Sequence, residues 1–203
     1  MRLKFAIGAQ VTQIGVMAVS TVLSVFGWLT LLANVATLFA VGLVIRRNIV
    51  KAVSNKTHLI RAQQLAALIT IAATLGSLYL SEIGDLTPCR WCWIQRIAMY
   101  PLALVLLISW ITGDRFVRRY AVPIAALGLG ASTWHYLLQQ IPSLSDANSC
   151  SLSTPCSVTY IEKFGFISIP WMAGSVFAMT LVLLLGFRSA ESPLDAVSYT
   201  HLT

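Results

Sequence analysis

The chain has 203 residues, of which 57% are hydrophobic and only 10% charged, and its mean hydropathy is +0.78. That balance excludes an ordinary water-soluble domain with a charged skin and points to an integral membrane protein. A net charge of +7 would suit a nucleic-acid binder, but in a membrane chain Lys and Arg first report topology, because they collect on the cytoplasmic side.

Residues 5 to 45 contain no charged side chain, about twice the length that one helix needs to cross roughly 30 Å of hydrocarbon. This predicts a helical hairpin turning near Phe26, Gly27 and Trp28. After Arg46, Arg47, Lys51, Lys56 and Arg61 comes a third span, Leu65 to Leu80, then the loop Ser81 to Thr87. A fourth span is expected over Trp93 to Ile111, a fifth over Tyr120 to Ile141 after the basic turn with Asp114, Arg115, Arg118 and Arg119, and a sixth over Pro170 to Phe187.

Six spans place both termini on one side. In that arrangement Arg2, Lys4, Arg46, Arg47, Lys51, Lys56, Arg61, Arg115, Arg118, Arg119 and Arg188 face one way, and only Arg90, Arg96 and Lys163 the other. The larger set marks the cytoplasm, so the basic character orients the protein instead of binding DNA or RNA. A cleaved signal peptide is disfavoured, since the first apolar run is far longer than an h-region. The expected organisation is an N-terminal hairpin with a basic loop over 1–62, a four-helix bundle with its loops over 63–188, and a disordered tail over 189–203. Gly8, Gly15, Ser20, Ser24 and Gly27 read as small-residue packing positions in the hairpin.

The same topology puts Cys89, Cys92, Cys150 and Cys156 on the outer face, where disulfides are permitted. In TPCRWCWIQR, residues 87 to 96, Thr87 is expected to cap a helix and Pro88 to take its first position, leaving Cys89 and Cys92 in the opening turn. Unpaired N–H groups and the positive dipole end stabilise a thiolate there, the species that attacks disulfides. A CxxC pair closes without tying distant elements together, which suits a bond that opens and closes. The same spacing also serves a fixed structural disulfide, or half of a zinc site completed by Cys150 and Cys156. The second pair, in SCSLSTPCS, closes a small ring in a polar loop and is equally readable as a structural clip or as a pair reachable by another protein.

Arg96 follows Cys92 by one helical turn and lies just inside the membrane, where burying a guanidinium needs a reason. His135 and Gln139 are one turn apart near the outer end of the fifth span. An Arg and a His at matching depth beneath a cysteine pair could engage the carbonyl oxygens of a quinone, with snorkelling for Arg96 and a core hydrogen bond for His135 as the plain alternatives. Trp91, Trp93, Trp134 and Trp171 read as interface-belt residues. No flavin or nucleotide motif is visible.

The stretches PCRWCWIQRIAMYPL at 88 to 102, WHYLLQ at 134 to 139, and Cys150 through PCSVTYIEKFGFISIPWMA at 155 to 173 resemble the DsbB-type quinone-dependent disulfide oxidoreductases, especially the short BdbC branch. The resemblance covers about Leu65 to Phe187. It implies an all-α transmembrane four-helix bundle in the bacterial cytoplasmic membrane, which reoxidises an extracytoplasmic thioredoxin-like donor of the DsbA/BdbD kind and passes the electrons to ubiquinone or menaquinone. On the matching positions it implies that Cys89 and Cys92 are the quinone-proximal pair, with Cys92 engaging the quinone. Cys150 and Cys156 would be the shuttle pair, Cys150 forming the mixed disulfide with the donor and Cys156 exchanging with Cys89. Arg96, His135 and Gln139 would bind the quinone, and Gln95, where some members carry Glu, would support them. The N-terminal hairpin and the tail SAESPLDAVSYTHLT depart from the family pattern. A membrane metal carrier or sensor holding its ion on the four cysteines is the rival reading from another class.

Overall fold

The computed structural model describes residues 2–50, 56–114, 116–141 and 165–186, and these are helical apart from short turns. Five helices follow one another: α1 Arg2–Val50, α2 Lys56–Glu82, α3 Arg90–Thr112, α4 Arg118–Gln140 and α5 Ile169–Gly186. Each contains a stretch long and apolar enough to cross a membrane: Val19–Leu43, Ile60–Glu82, Arg90–Thr112, Arg118–Gln140 and Ile169–Gly186. The last four agree with the expected spans to within a turn or so at each end.

The N-terminal hairpin does not form. α1 runs unbroken for 49 residues, about 73 Å at 1.5 Å per residue, straight through Phe26, Gly27 and Trp28. The reason lies in that segment's own residues. It contains no proline, and a single glycine in a helix interior costs only about 1 kcal/mol, too little to force a turn. Leu23, Gly27 and Thr30, spaced along one helical face, are buried, and the Phe26 ring lies over Gly76 of α2, where an added Cβ would stand 2.6 Å from Phe26 Cζ. The described residues therefore give five spans instead of six. Arg2 and Arg46 stand at opposite ends of one helix, which removes the basis for placing both termini on one face.

Helices α2, α3, α4 and α5 close into a ring, each packing on the next and α5 returning to α2, while α1 leans mainly on α5 from outside. The centre is apolar, with Ala66, Leu102, Leu106, Ala125, Phe177 and Leu184 among its fully buried members. Small residues allow the close approach. Ala121, Ala125, Gly128 and Ser132 recur every three or four positions on the buried face of α4, and a Cβ at Gly128 would run into the Phe177 ring of α5. The buried face of α3 follows the same rule through Gln95, Met99, Leu102, Leu106 and Ser109. Both stripes matter for function, because continuing them toward one end of the bundle leads from the α4 stripe to His135 and from the α3 stripe to Cys92.

Candidate functional site

The turn between α2 and α3 sets the site. Asp85 takes a left-handed conformation (φ 51°) after α2, and the chain then runs extended into Cys89. Cys89, not Thr87, caps α3: its backbone is extended and its Sγ accepts the Cys92 backbone N–H at 3.3 Å. Pro88 consequently precedes the cap instead of occupying the first helical position. A sulfur in the capping role faces the unpaired N–H groups of the first turn, where negative charge is favoured.

Three elements converge on that sulfur. Cys89 and Cys92 are free thiols with their Sγ atoms 2.9 Å apart. His135 of α4, only 2% exposed, brings Nε2 to 3.5 Å from Cys89 Sγ. Its other ring nitrogen, Nδ1, lies 2.9 Å from the Gln95 side-chain nitrogen. An amide N–H donated to Nδ1 leaves the imidazole proton on Nε2, facing the Cys89 sulfur. The Cys89 thiol, just outside the span, is lowered from 9.0 to about 4, first by the hydrogen bond from the Cys92 thiol and then by the hydrogen bond with His135, with burial acting in the opposite sense. Cys89 is thus the thiolate of the pair and Cys92 its donor.

Arg96 points to the other side of α3. Its Nε donates to Ser77 Oγ at 3.0 Å and one terminal nitrogen donates to the Ser77 carbonyl at 2.9 Å, while the guanidinium sits 5.3 Å from the centre of the Trp93 ring. The Arg and the His therefore diverge around the cysteine pair, one anchored to α2 and one to α4. Only two of the five guanidinium N–H groups are directed at Ser77, so the fork retains donors for a further acceptor at the rim of the bundle. Gln139 stands one turn beyond His135 on α4 and is half-buried. Trp91 and Trp134 meet at 6.4 Å between ring centres, joining α3 to α4 beside the site, and Tyr136, Trp171 and Phe166 form a second aromatic cluster where α5 begins.

Cys89, Cys92, Gln95 and His135 are thus brought into one cluster with Arg96 beside it. Cys150 and Cys156, and the tail 189–203, lie outside the described residues. One partner goes unrecognised in the sequence, and a second is expected there only in a supporting role. Ser77 is one of two serines in the apolar span Ile60–Glu82, and the only available signal was the burial of a guanidinium at Arg96. Gln95, expected from the resemblance only to support the quinone site, holds His135 directly, a contact between helices that nothing in its own helix specifies.

Residues 61–187 match the family described as "Disulfide bond formation protein DsbB". Among curated relatives, "Disulfide bond formation protein C" of Bacillus subtilis (strain 168) is 41% identical over 138 residues, covering 68% of this chain and 98% of that protein. "Probable disulfide formation protein C" of Halalkalibacterium halodurans is 41% identical over 118 residues, 58% of this chain and 86% of its own length. "Probable disulfide formation protein" of Coxiella burnetii (strain Dugway 5J108-111) is 39% identical over 131 residues, 64% of this chain and 89% of its own length. No solved structure matches. A CxxC pair at the mouth of a transmembrane helix, held by a buried histidine and flanked by an arginine, occurs here inside the matched segment: the chain belongs to the DsbB family of disulfide bond formation proteins.

Proposed function

We propose that the protein is a membrane thiol-disulfide oxidoreductase that reoxidises a thioredoxin-like donor on the outer face of a bacterial cytoplasmic membrane and delivers the electrons to a membrane quinone. The observation that carries this reading is the Cys89/Cys92 pair itself, with one sulfur poised as thiolate by His135 and the helix start.

The exchange steps follow thiol chemistry. A donor thiolate attacks Cys150 in the Cys150–Cys156 disulfide, forming a mixed disulfide and releasing the Cys156 thiolate; the second donor thiol then closes the donor's own disulfide and leaves both loop cysteines reduced. In the next exchange Cys156 attacks the Cys89–Cys92 disulfide at Cys89, and Cys150 resolves the bond, so two electrons now reside on Cys89 and Cys92, with one proton on Cys92 and the other released to solvent. Cys89 is held as thiolate by the Cys92 N–H and His135. Closing the Cys89–Cys92 bond gives up those two electrons and the Cys92 proton.

The residues beside the pair fit a quinone. Arg96 offers guanidinium donors to a carbonyl oxygen at the edge of the hydrocarbon, next to the Trp93 ring. A quinone bound there supplies a two-electron, two-proton sink. Arg96 would stabilise the negative charge developing on its oxygen, and Ser77 would fix the guanidinium plane. His135 would hold and release the proton at Nε2, with Gln95 fixing its tautomer and Gln139 supporting the same end of α4. Residues 63–188 would form the catalytic bundle and the segment before them a separate membrane element.

Trapping tests the donor half. A Cys156→Ser chain should accumulate a mixed disulfide between Cys150 and a thioredoxin-fold protein, identified by mass after non-reducing purification. Recovery of the adduct on Cys89, or of none while Cys150 is reactive, would contradict the assigned order.

A further inference from the structure

The three atoms around the cysteine pair are also a ligand set. Cys89 Sγ, Cys92 Sγ and His135 Nε2 all lie within 4.8 Å of one another. Zinc in tetrahedral coordination takes sulfur at about 2.3 Å and imidazole nitrogen at about 2.0–2.1 Å, which sets ligand atoms roughly 3.5–3.8 Å apart. Cys89 Sγ and His135 Nε2 already stand at 3.5 Å. The two sulfurs, at 2.9 Å, need to separate by about 1 Å, within reach of a small rotation of the Cys92 side chain.

The nitrogen opposite is anchored as a metal-bound histidine requires. Ligating histidines hold their second ring N–H against an acceptor, which fixes the ring and raises its basicity. Gln95 stands at that position, 2.9 Å from Nδ1, and turning its amide presents the carbonyl oxygen to an Nδ1–H and frees the lone pair on Nε2. Charge selects the ion. Two thiolates neutralise a dication, so a bound Zn²⁺ leaves no net charge at the rim of an apolar bundle, whereas Cu⁺ on the same ligands leaves one negative charge there.

We propose that the reduced Cys89/Cys92 pair and His135 form a zinc site, and that its occupation holds the pair reduced and stops its turnover. The proposal rests on the reading that this pair cycles between dithiol and disulfide. Binding replaces the one remaining thiol proton, so that Zn²⁺ plus the Cys89 thiolate, the Cys92 S–H and one neutral imidazole give the zinc dithiolate and one proton. The disulfide offers no thiolate, so the oxidised pair does not bind. The metal competes with S–S bond formation and favours the reduced state by mass action.

The test uses the full chain in detergent micelles with Cys150→Ser and Cys156→Ser, so that only the first pair supplies thiols. Zinc alone is titrated against a chromophoric chelator without oxygen, proton release is counted, and a single turnover of quinone reduction is followed with and without the metal. One zinc and one proton per reduced chain are expected near neutral pH, with no binding after oxidation to the disulfide. His135→Ala should weaken binding at least tenfold. Gln95→Leu, which keeps all three ligands, should weaken it by about 10–100-fold, and Gln95→Glu should restore or tighten it. Zinc affinity equal in the reduced and oxidised chains, or unchanged in both His135→Ala and Gln95→Leu, would overturn the site. Zinc binding that leaves single-turnover quinone reduction unaltered would overturn the block. Failure of the redox reading is distinguishable, because metal-free reduced chain would then leave quinone unreduced whether or not zinc binds.

Discussion

α1 and α3 are similarly apolar along their whole lengths, yet α1 and the first turn of α3 carry different kinds of information. α1 meets the bundle along one narrow stripe, Leu23, Gly27 and Thr30, and exposes Val25, Trp28, Leu32, Val35, Leu38 and Phe39 as a surface suited to lipid. The opening of α3 instead gathers a thiol, an amide and an imidazole in a buried cluster whose polar atoms are mutually partnered. In α1 the side chains need only be apolar. At the start of α3 each polar atom has a geometrical requirement, and one substitution removes a partner from the others.

That contrast predicts graded effects. Cys92→Ser should reduce quinone reduction to background while the helical content stays unchanged, since the disulfide can no longer close; residual turnover near the parent rate would remove this pair from the electron path.

Cys89 reactivity gives the next effect. With the thiol lowered to about 4, its alkylation rate should hold steady from neutral pH down to about pH 5 and fall by half near pH 4. His135→Ala should move that midpoint upward. The sign for stability follows, because a thiol lowered from 9.0 stabilises the reduced fold fully above that value and loses the contribution as pH falls through about 4. Reduced protein should therefore unfold at lower temperature on acidification through this window, and a flat profile would contradict the thiolate assignment.

Arg96→Ala should raise the quinone KM by roughly 10–100-fold, the scale of losing a hydrogen bond of about 1.5–3 kcal/mol to a charged donor, without altering exchange with the thioredoxin-like donor. Gly128→Val, far from the cysteines, tests packing alone: forcing branched atoms against Phe177 should cost about 1–3 kcal/mol, read as a lower Tm, with the activity per folded molecule preserved. Smallest of all, Phe26→Ala on α1 should change quinone reduction by less than about twofold, because it removes a packing contact over Gly76 and no hydrogen bond of the cysteine cluster. A large loss there would mean that α1 shapes the site.

Much of this was legible before the fold was known. Four spans followed from charge-free runs bounded by Lys and Arg, since the bilayer imposes both the length and the composition of a span. The i, i+4 relations of Cys92 to Arg96 and of His135 to Gln139 are local consequences of helix geometry. α1 was misjudged for a physical reason: a charge-free run of 41 residues (5 to 45) is long enough for two spans, and nothing in it distinguishes a turn at Gly27 from a helix whose Gly27 packs on its neighbours. Cys89 as the cap escaped notice because Thr87 is the better intrinsic capping residue, and the pairing of the sulfur with the Cys92 N–H reversed that preference. Ser77 and the hold of Gln95 on His135 are contacts between helices, and no pattern within one helix specifies them.

The most direct test is stoichiometric. Purified full chain, fully reduced and free of oxygen, is mixed with one equivalent of a short-chain quinone, and quinol formation is followed optically while the cysteine pairs are mapped by mass spectrometry. The account predicts one quinol for each Cys89–Cys92 disulfide closed and none from a Cys92→Ser chain. Quinone left unreduced while Cys89 and Cys92 remain accessible thiols, or quinol formed without that disulfide, would contradict it.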